Sequence, residues 1–191
     1  MRWPWLAEFD DIEDRLAAGS DRAVEDAIAV LERDDWLFRT GYAKATLFRR
    51  LKHVNLSNRQ ADRLRNVLLH YVDVGPRWEF REVCTFARHV SDRRLRSQLS
   101  KRVPGHDDGA ALRAVTMIGR IQPTWLDESH KKRAQPLLID RFTQRSPSPS
   151  SVRSARLVRT PGWTEELRLI AAERNDPRCN GADRLLRVLN R

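Results

Sequence analysis

Cysteine is almost missing from this chain: Cys84 and Cys179 are the only two in 191 residues. Two thiols make neither a disulfide framework nor a four-ligand zinc site, so packing has to hold the fold together. Long apolar runs are missing too. No stretch reaches the ~18 residues needed to cross a bilayer. The opening run from Met1 to Glu8 meets an acidic residue at once and has no signal-peptide core. These absences lead to the expectation of a reduced, cytoplasmic protein with no membrane partner. Glycine is sparse at eight residues, and no phosphate loop, dinucleotide turn, GxSxG or HExxH occurs. No catalytic residue, metal ligand or cofactor is therefore assigned, and the expectation leans away from an enzyme. Lysine is scarce as well, five against 31 arginines. Arginine's planar fork suits phosphate and carboxylate, although a GC-rich genome also favours it.

What is present is an uneven charge. Residues 1–35 carry 11 acidic side chains against 4 basic ones, while the remainder carries 32 basic against 15 acidic. The net charge of +10 is a prior for an anionic partner. The acidic start, with Phe9, Ile12 and Leu16 on one side, reads as an amphipathic helix or cap over residues 1–19. Its acidic face could mask the basic body, dock a basic protein, or simply be solvated. Hydrophobic residues at 40% and charged residues at 32% suit an extended helical array better than a sphere.

The periodicity predicts an all-α chain. Apolar stripes run through Ala23, Ala27, Val30 and Leu31; Ala43, Leu47 and Leu51; and Ala61, Leu64, Leu68, Tyr71 and Val72. Others follow at Phe80, Val83, Ala87 and Val90; Leu95, Leu99 and Val103; Ala114, Met117, Ile118 and Ile121; Leu167, Ile170 and Ala171; and Ala182, Leu185, Leu186 and Leu189. No segment alternates convincingly at period two. Ser20 and Ser57 are expected to cap helices, and Asp107 or Asp108 a third. Pro136 should kink its helix or begin a new one. The Ser/Pro-rich stretch within 144–151 reads as a loop before a C-terminal helical cap. The whole chain, 1–191, is expected to form a single α-helical domain.

Four arginines recur near helix ends at spacings of 39, 32 and 39 residues: Arg49, Arg88, Arg120 and Arg159. With helix following helix across short breaks, this pattern over about residues 20–175 resembles a HEAT-type array of antiparallel helix pairs. The likeness is one of period alone and implies a short α-solenoid; an irregular compact helical bundle is the alternative. Some HEAT-like proteins are DNA glycosylases, but no segment here matches their catalytic pattern.

The richest basic segment, 88–102, places Arg88, Arg93, Arg94, Arg96, Lys101 and Arg102 around the apolar anchors Leu95 and Leu99. Lys131, Lys132 and Arg133 form a second cluster, and Arg49 and Arg50 with Lys52 a third. With Arg120, these residues are the candidate contacts to nucleic-acid phosphates. HEAT-like units also use arginine to bridge neighbouring repeats through an aspartate, which is the competing explanation. Six tryptophans raise the possibility of base stacking, but Trp36, Trp78, Trp125 and Trp163 sit near predicted helix starts and read as seam packing. Trp3 and Trp5 are the candidate protein-docking aromatics. His106, Asp107 and Asp108 are the nearest thing to a dispersed catalytic or metal site, but adjacent residues cannot easily share one ion.

Three readings follow in order: a non-catalytic module binding nucleic-acid backbone (DNA or RNA), a scaffold for an acidic protein partner, and an enzyme with a dispersed site. Binding to a membrane surface ranks below all three, since no helix pairs a basic face with a large aromatic one.

Overall fold

Helix starts are written locally in this chain. The Ser57 hydroxyl accepts from Gln60 N at 3.3 Å while the Gln60 side chain accepts from Ser57 N at 2.9 Å, a reciprocal capping box. Ser20 caps another helix by accepting from Ala23 N, and Asp107 a third by accepting from Ala110 N at 2.8 Å. The computed structural model describes residues 4–35, 40–75, 77, 79–144, 149–173 and 175–190. Among these residues the protein is all-α: eleven α-helices, one 3-10 turn and no strand. The helices are α1 (Pro4–Ala17), α2 (Asp21–Arg33), α3 (Thr40–Leu51), α4 (Asn58–Asp73), α5 (Phe80–Ala87), α6 (Arg93–Arg102), α7 (Asp108–Ile121), α8 (Glu128–Gln144), α9 (Pro149–Leu157), α10 (Pro161–Ala172) and α11 (Cys179–Leu189).

The chain divides into two compact units, Met1–Leu95 and Arg96–Arg191. In the first, α1 packs on α2 and α3, α2 on α4, α3 on α5, and α4 on α5. A helix thus meets the one two places along as well as a neighbour, a scheme compatible with stacked helix pairs. The centre is aromatic: Phe48 stands edge-on to Tyr71 at 5.8 Å and lies 5.3 Å from Phe86. In the second unit α11 packs on α8, α9 and α10, while α7 packs on α8 and α9. That arrangement is compatible with a small bundle.

Most expected stripes are buried, but two local expectations need correction. In α3 the core-facing residue is Lys44, fully buried, whereas Ala43 is only half-buried. Pro136 lies inside α8, which runs from Glu128 to Gln144, so it begins no new helix. Residues 145–148 of the expected Ser/Pro loop lie outside the described residues, and the helical part begins earlier than expected. Pro149 opens α9, at a position where its missing N–H has no intrahelical partner to lose.

Candidate nucleic-acid interface

Helix α6 reads Arg-Arg-Leu-Arg-Ser-Gln-Leu-Ser-Lys-Arg, five cations with no acid. Leu95 and Leu99 are 1% and 0% exposed, which fixes the helix's inner face. At about 100° of rotation per residue, Arg93, Arg94 and Lys101 then fall on the outer side, and all three are exposed. Arg94 has one distant counter-charge, Asp62 at 4.0 Å. Arg96 also projects, with its guanidinium 5.3 Å from the ring centre of half-buried Trp125. Such stacking holds the fork in place without neutralising it. Arg102 sits closer to the inner face and donates back to Gln98 O at 3.0 Å. Burying two leucines stabilises the helix by about 1.5–3 kcal/mol each, and exposed Arg93, Arg94 and Lys101 take no part in that inner face.

The other basic candidates divide by what holds them. Arg50 pairs with Glu13 at 3.0 Å, and exposed Arg49 donates to Thr46 Oγ1 at 2.8 Å. Lys131 pairs with Glu128 at 2.7 Å, Arg133 with Asp108 at 2.6 Å, and Lys132 is exposed. Of the four periodic arginines, Arg49 and Arg88 are exposed in the first unit. Arg120 is half-buried in the second, where Arg159 Nη1 donates to Leu189 O at 3.1 Å and so closes the end of α11. Trp3 and the Trp5 side chain lie outside the described residues, as do Trp36 and Trp78. Trp163 is a core residue, 2% exposed. His106 is exposed, Asp107 is engaged as a cap and Asp108 in the Arg133 pair. Among the described residues no group of three or more His, Cys, Asp or Glu gathers as a metal site.

Arginines of the first four helices, by contrast, are largely consumed by carboxylates. Arg63 grips Glu32 with both ends of its fork, at 2.8 and 2.6 Å, and reaches Glu25 at 2.6 Å. The Glu32 bond is the largest cause that raises Arg63 above the usual arginine range; the Arg63 bond is likewise the largest that lowers Glu32. Arg15 bridges Asp26 and Asp11, and Arg33 bridges Glu8 and Asp35. These exposed pairs contribute about 0–1 kcal/mol each.

Sequence reasoning missed a buried ionic cluster in the first unit. Asp34 closes α2 in the left-handed region, φ 52°, a conformation aspartate tolerates better than most residues. Its carboxylate receives Lys44 Nζ at 2.7 Å, His70 Nε2 at 2.9 Å and the Arg77 guanidinium. Burial pushes the Asp34 carboxyl up, but hydrogen bonds from Lys44, Arg77 and His70 outweigh it and hold the group below its ordinary value. Arg77 also lies over the ring of Tyr71, whose hydroxyl donates to buried Glu79 at 3.2 Å. Burial, followed by the Glu79 and Asp34 charges, raises the Tyr71 phenol. The other Glu79 oxygen, Oε2, is buried without a hydrogen-bond partner. The one available signal was Asp34-Asp35 directly after a helical stripe, which charge counting absorbed into the acidic start.

The chain matches no known family, no curated protein and no solved structure.

Proposed function

We propose that the protein is a non-catalytic binding module that engages nucleic-acid backbone through the outer face of α6. One observation carries this reading: Arg93, Arg94, Arg96 and Lys101 project from a helix that has no acidic residue, while Arg15, Arg33, Arg50 and Arg63 of the earlier helices pair with carboxylates. Exposed cations gathered on one helix attract phosphates by releasing condensed counterions, with no need to read bases. Arg96, stacked on Trp125, supplies a fork whose orientation is already set.

Fluorescence anisotropy with labelled duplex DNA, single-stranded DNA and RNA across a salt series tests it. Binding should weaken steeply with salt, with a log–log slope of about −0.9 for each duplex phosphate neutralised. The Arg93→Glu, Arg94→Glu, Arg96→Glu triple variant should abolish it while keeping the helical circular dichroism of the parent. Absence of binding near physiological salt would overturn the proposal and favour an acidic protein partner.

A further inference from the structure

The strongest remaining feature is a concave one. A cleft of about 450 Å³ lies at the C-terminal end of α3, lined by Glu13, Thr46, Arg49, Arg50, Lys52 and His53. Three permanent cations face a single carboxylate, and these four groups leave a surplus of two positive charges. The end of a helix favours cations through its dipole, which accounts for some of this gathering. It does not account for the incomplete neutralisation or for the concavity. Glu13 uses one oxygen, Oε1, to receive Arg50 Nε and Nη2 at 3.2 and 3.0 Å. Arg49 donates to Thr46 Oγ1 through Nη2 alone, at 2.8 Å. Donors on both guanidiniums therefore remain for an incoming anion, and cavities of about 300–1,000 Å³ are the usual size for small-ligand sites.

We infer that this cleft binds a compact phosphate-bearing anion of two or more negative charges, with Arg49, Arg50 and Lys52 as its counter-charges and Glu13 as an internal competitor that the anion displaces from Arg50. The charge surplus of the cleft matches a phosphomonoester or diphosphate rather than a singly charged diester. The site is separate in its residues from α6 and does not depend on α6 binding a nucleic acid. Such a group reaches the cleft either as a free inorganic anion or as the terminal phosphate of a strand.

Isothermal titration of the full chain with inorganic pyrophosphate at low salt is the test. Wild type should bind, Arg49→Glu should weaken binding at least about tenfold, and Arg156→Glu at an exposed position of α9 should leave it unchanged. Glu13→Gln should tighten binding about two- to fivefold, because the lost carboxylate was worth no more than a surface pair. A purely structural Glu13–Arg50 pair would give no such gain. A 5′-phosphorylated oligonucleotide that binds better than its 5′-hydroxyl twin, with the difference lost in Arg49→Glu, identifies a strand end; equal binding of the two alongside pyrophosphate binding identifies the free anion. No heat at millimolar pyrophosphate overturns the inference, as does unchanged affinity in both Arg49→Glu and Glu13→Gln. Should Arg49→Glu fail to fold, Glu13→Gln decides the matter by itself.

Discussion

Lys44 Nζ lies 2.7 Å from Asp34 Oδ1, an ammonium with no exposed side-chain surface against a carboxylate that is 6% exposed. The lysine also donates to Asp35 O at 2.8 Å, so one side chain of α3 binds the end of α2 at two points. Asp34 in turn accepts from His70 in α4 and from Arg77 just before α5. A single carboxylate thereby ties four consecutive helical segments of the first unit. Removing one partner of a buried pair leaves the other charge stranded, which costs more than the pair itself contributes.

Asp34→Asn isolates that charge, because asparagine tolerates the left-handed backbone and keeps the side chain's shape. The variant should lose about 3 kcal/mol or more of stability, read from the urea midpoint at neutral pH. A midpoint within error of wild type would show that the cluster does not stabilise the unit.

The same carboxylate sets an acid dependence. Its folded-state pKa is depressed, so its contribution is fully present above the unfolded value, near pH 4, and is lost as pH falls through the folded value. Glu25 acts in the same sense, lowered first by its bond from Gln60, and Glu32 by its bond from Arg63. Urea unfolding between neutral pH and pH 3 should show stability falling with acid, with a shallower fall in Asp34→Asn. Parallel curves for the two proteins would refute the assignment to Asp34.

Two glycines should respond oppositely to alanine. A Cβ on Gly181 would overlap Thr143 Oγ1 and the Ile139 carbonyl, where α11 lies against α8. Gly181→Ala should cost about 1–3 kcal/mol by overpacking. Gly162, in the first turn of α10, has open space where an alanine methyl would stand, with nothing within 4 Å. Gly162→Ala should therefore be neutral or gain up to about 1 kcal/mol. Thermal melts of the two variants check both signs.

Deleting residues 1–19 should destabilise the first unit rather than simply uncover a basic surface. Phe9, Ile12 and Leu16 are 5%, 2% and 7% exposed, and three such side chains stabilise by about 5 kcal/mol together. Masking is better tested by charge alone. Glu8 and Glu13 are engaged by Arg33 and Arg50. Glu8→Gln with Glu13→Gln should therefore change the affinity for 5′-hydroxyl duplex DNA by less than about twofold. A larger gain would mean that the acidic helix does shield the polyanion site.

Much of the fold was written in the sequence because its determinants are local. Apolar recurrence at three and four residues decided the all-α class, and Ser20, Ser57 and Asp107 begin helices because a cap needs only a partner three residues away. The charge asymmetry and the basic run of α6 are likewise linear facts. Tertiary structure decided which charges are spent and which are left over. Arg63 finds Glu25 and Glu32 on another helix, Lys44 displaces Ala43 from the core because Asp34 waits for it, and Glu13 meets Arg50 across 37 positions. These pairings depend on the rotation and contact of packed helices, which no periodicity encodes. The sequence by itself thus determined the helices and the sign of the protein's charge, while packing determined which of those charges meet a partner across helices.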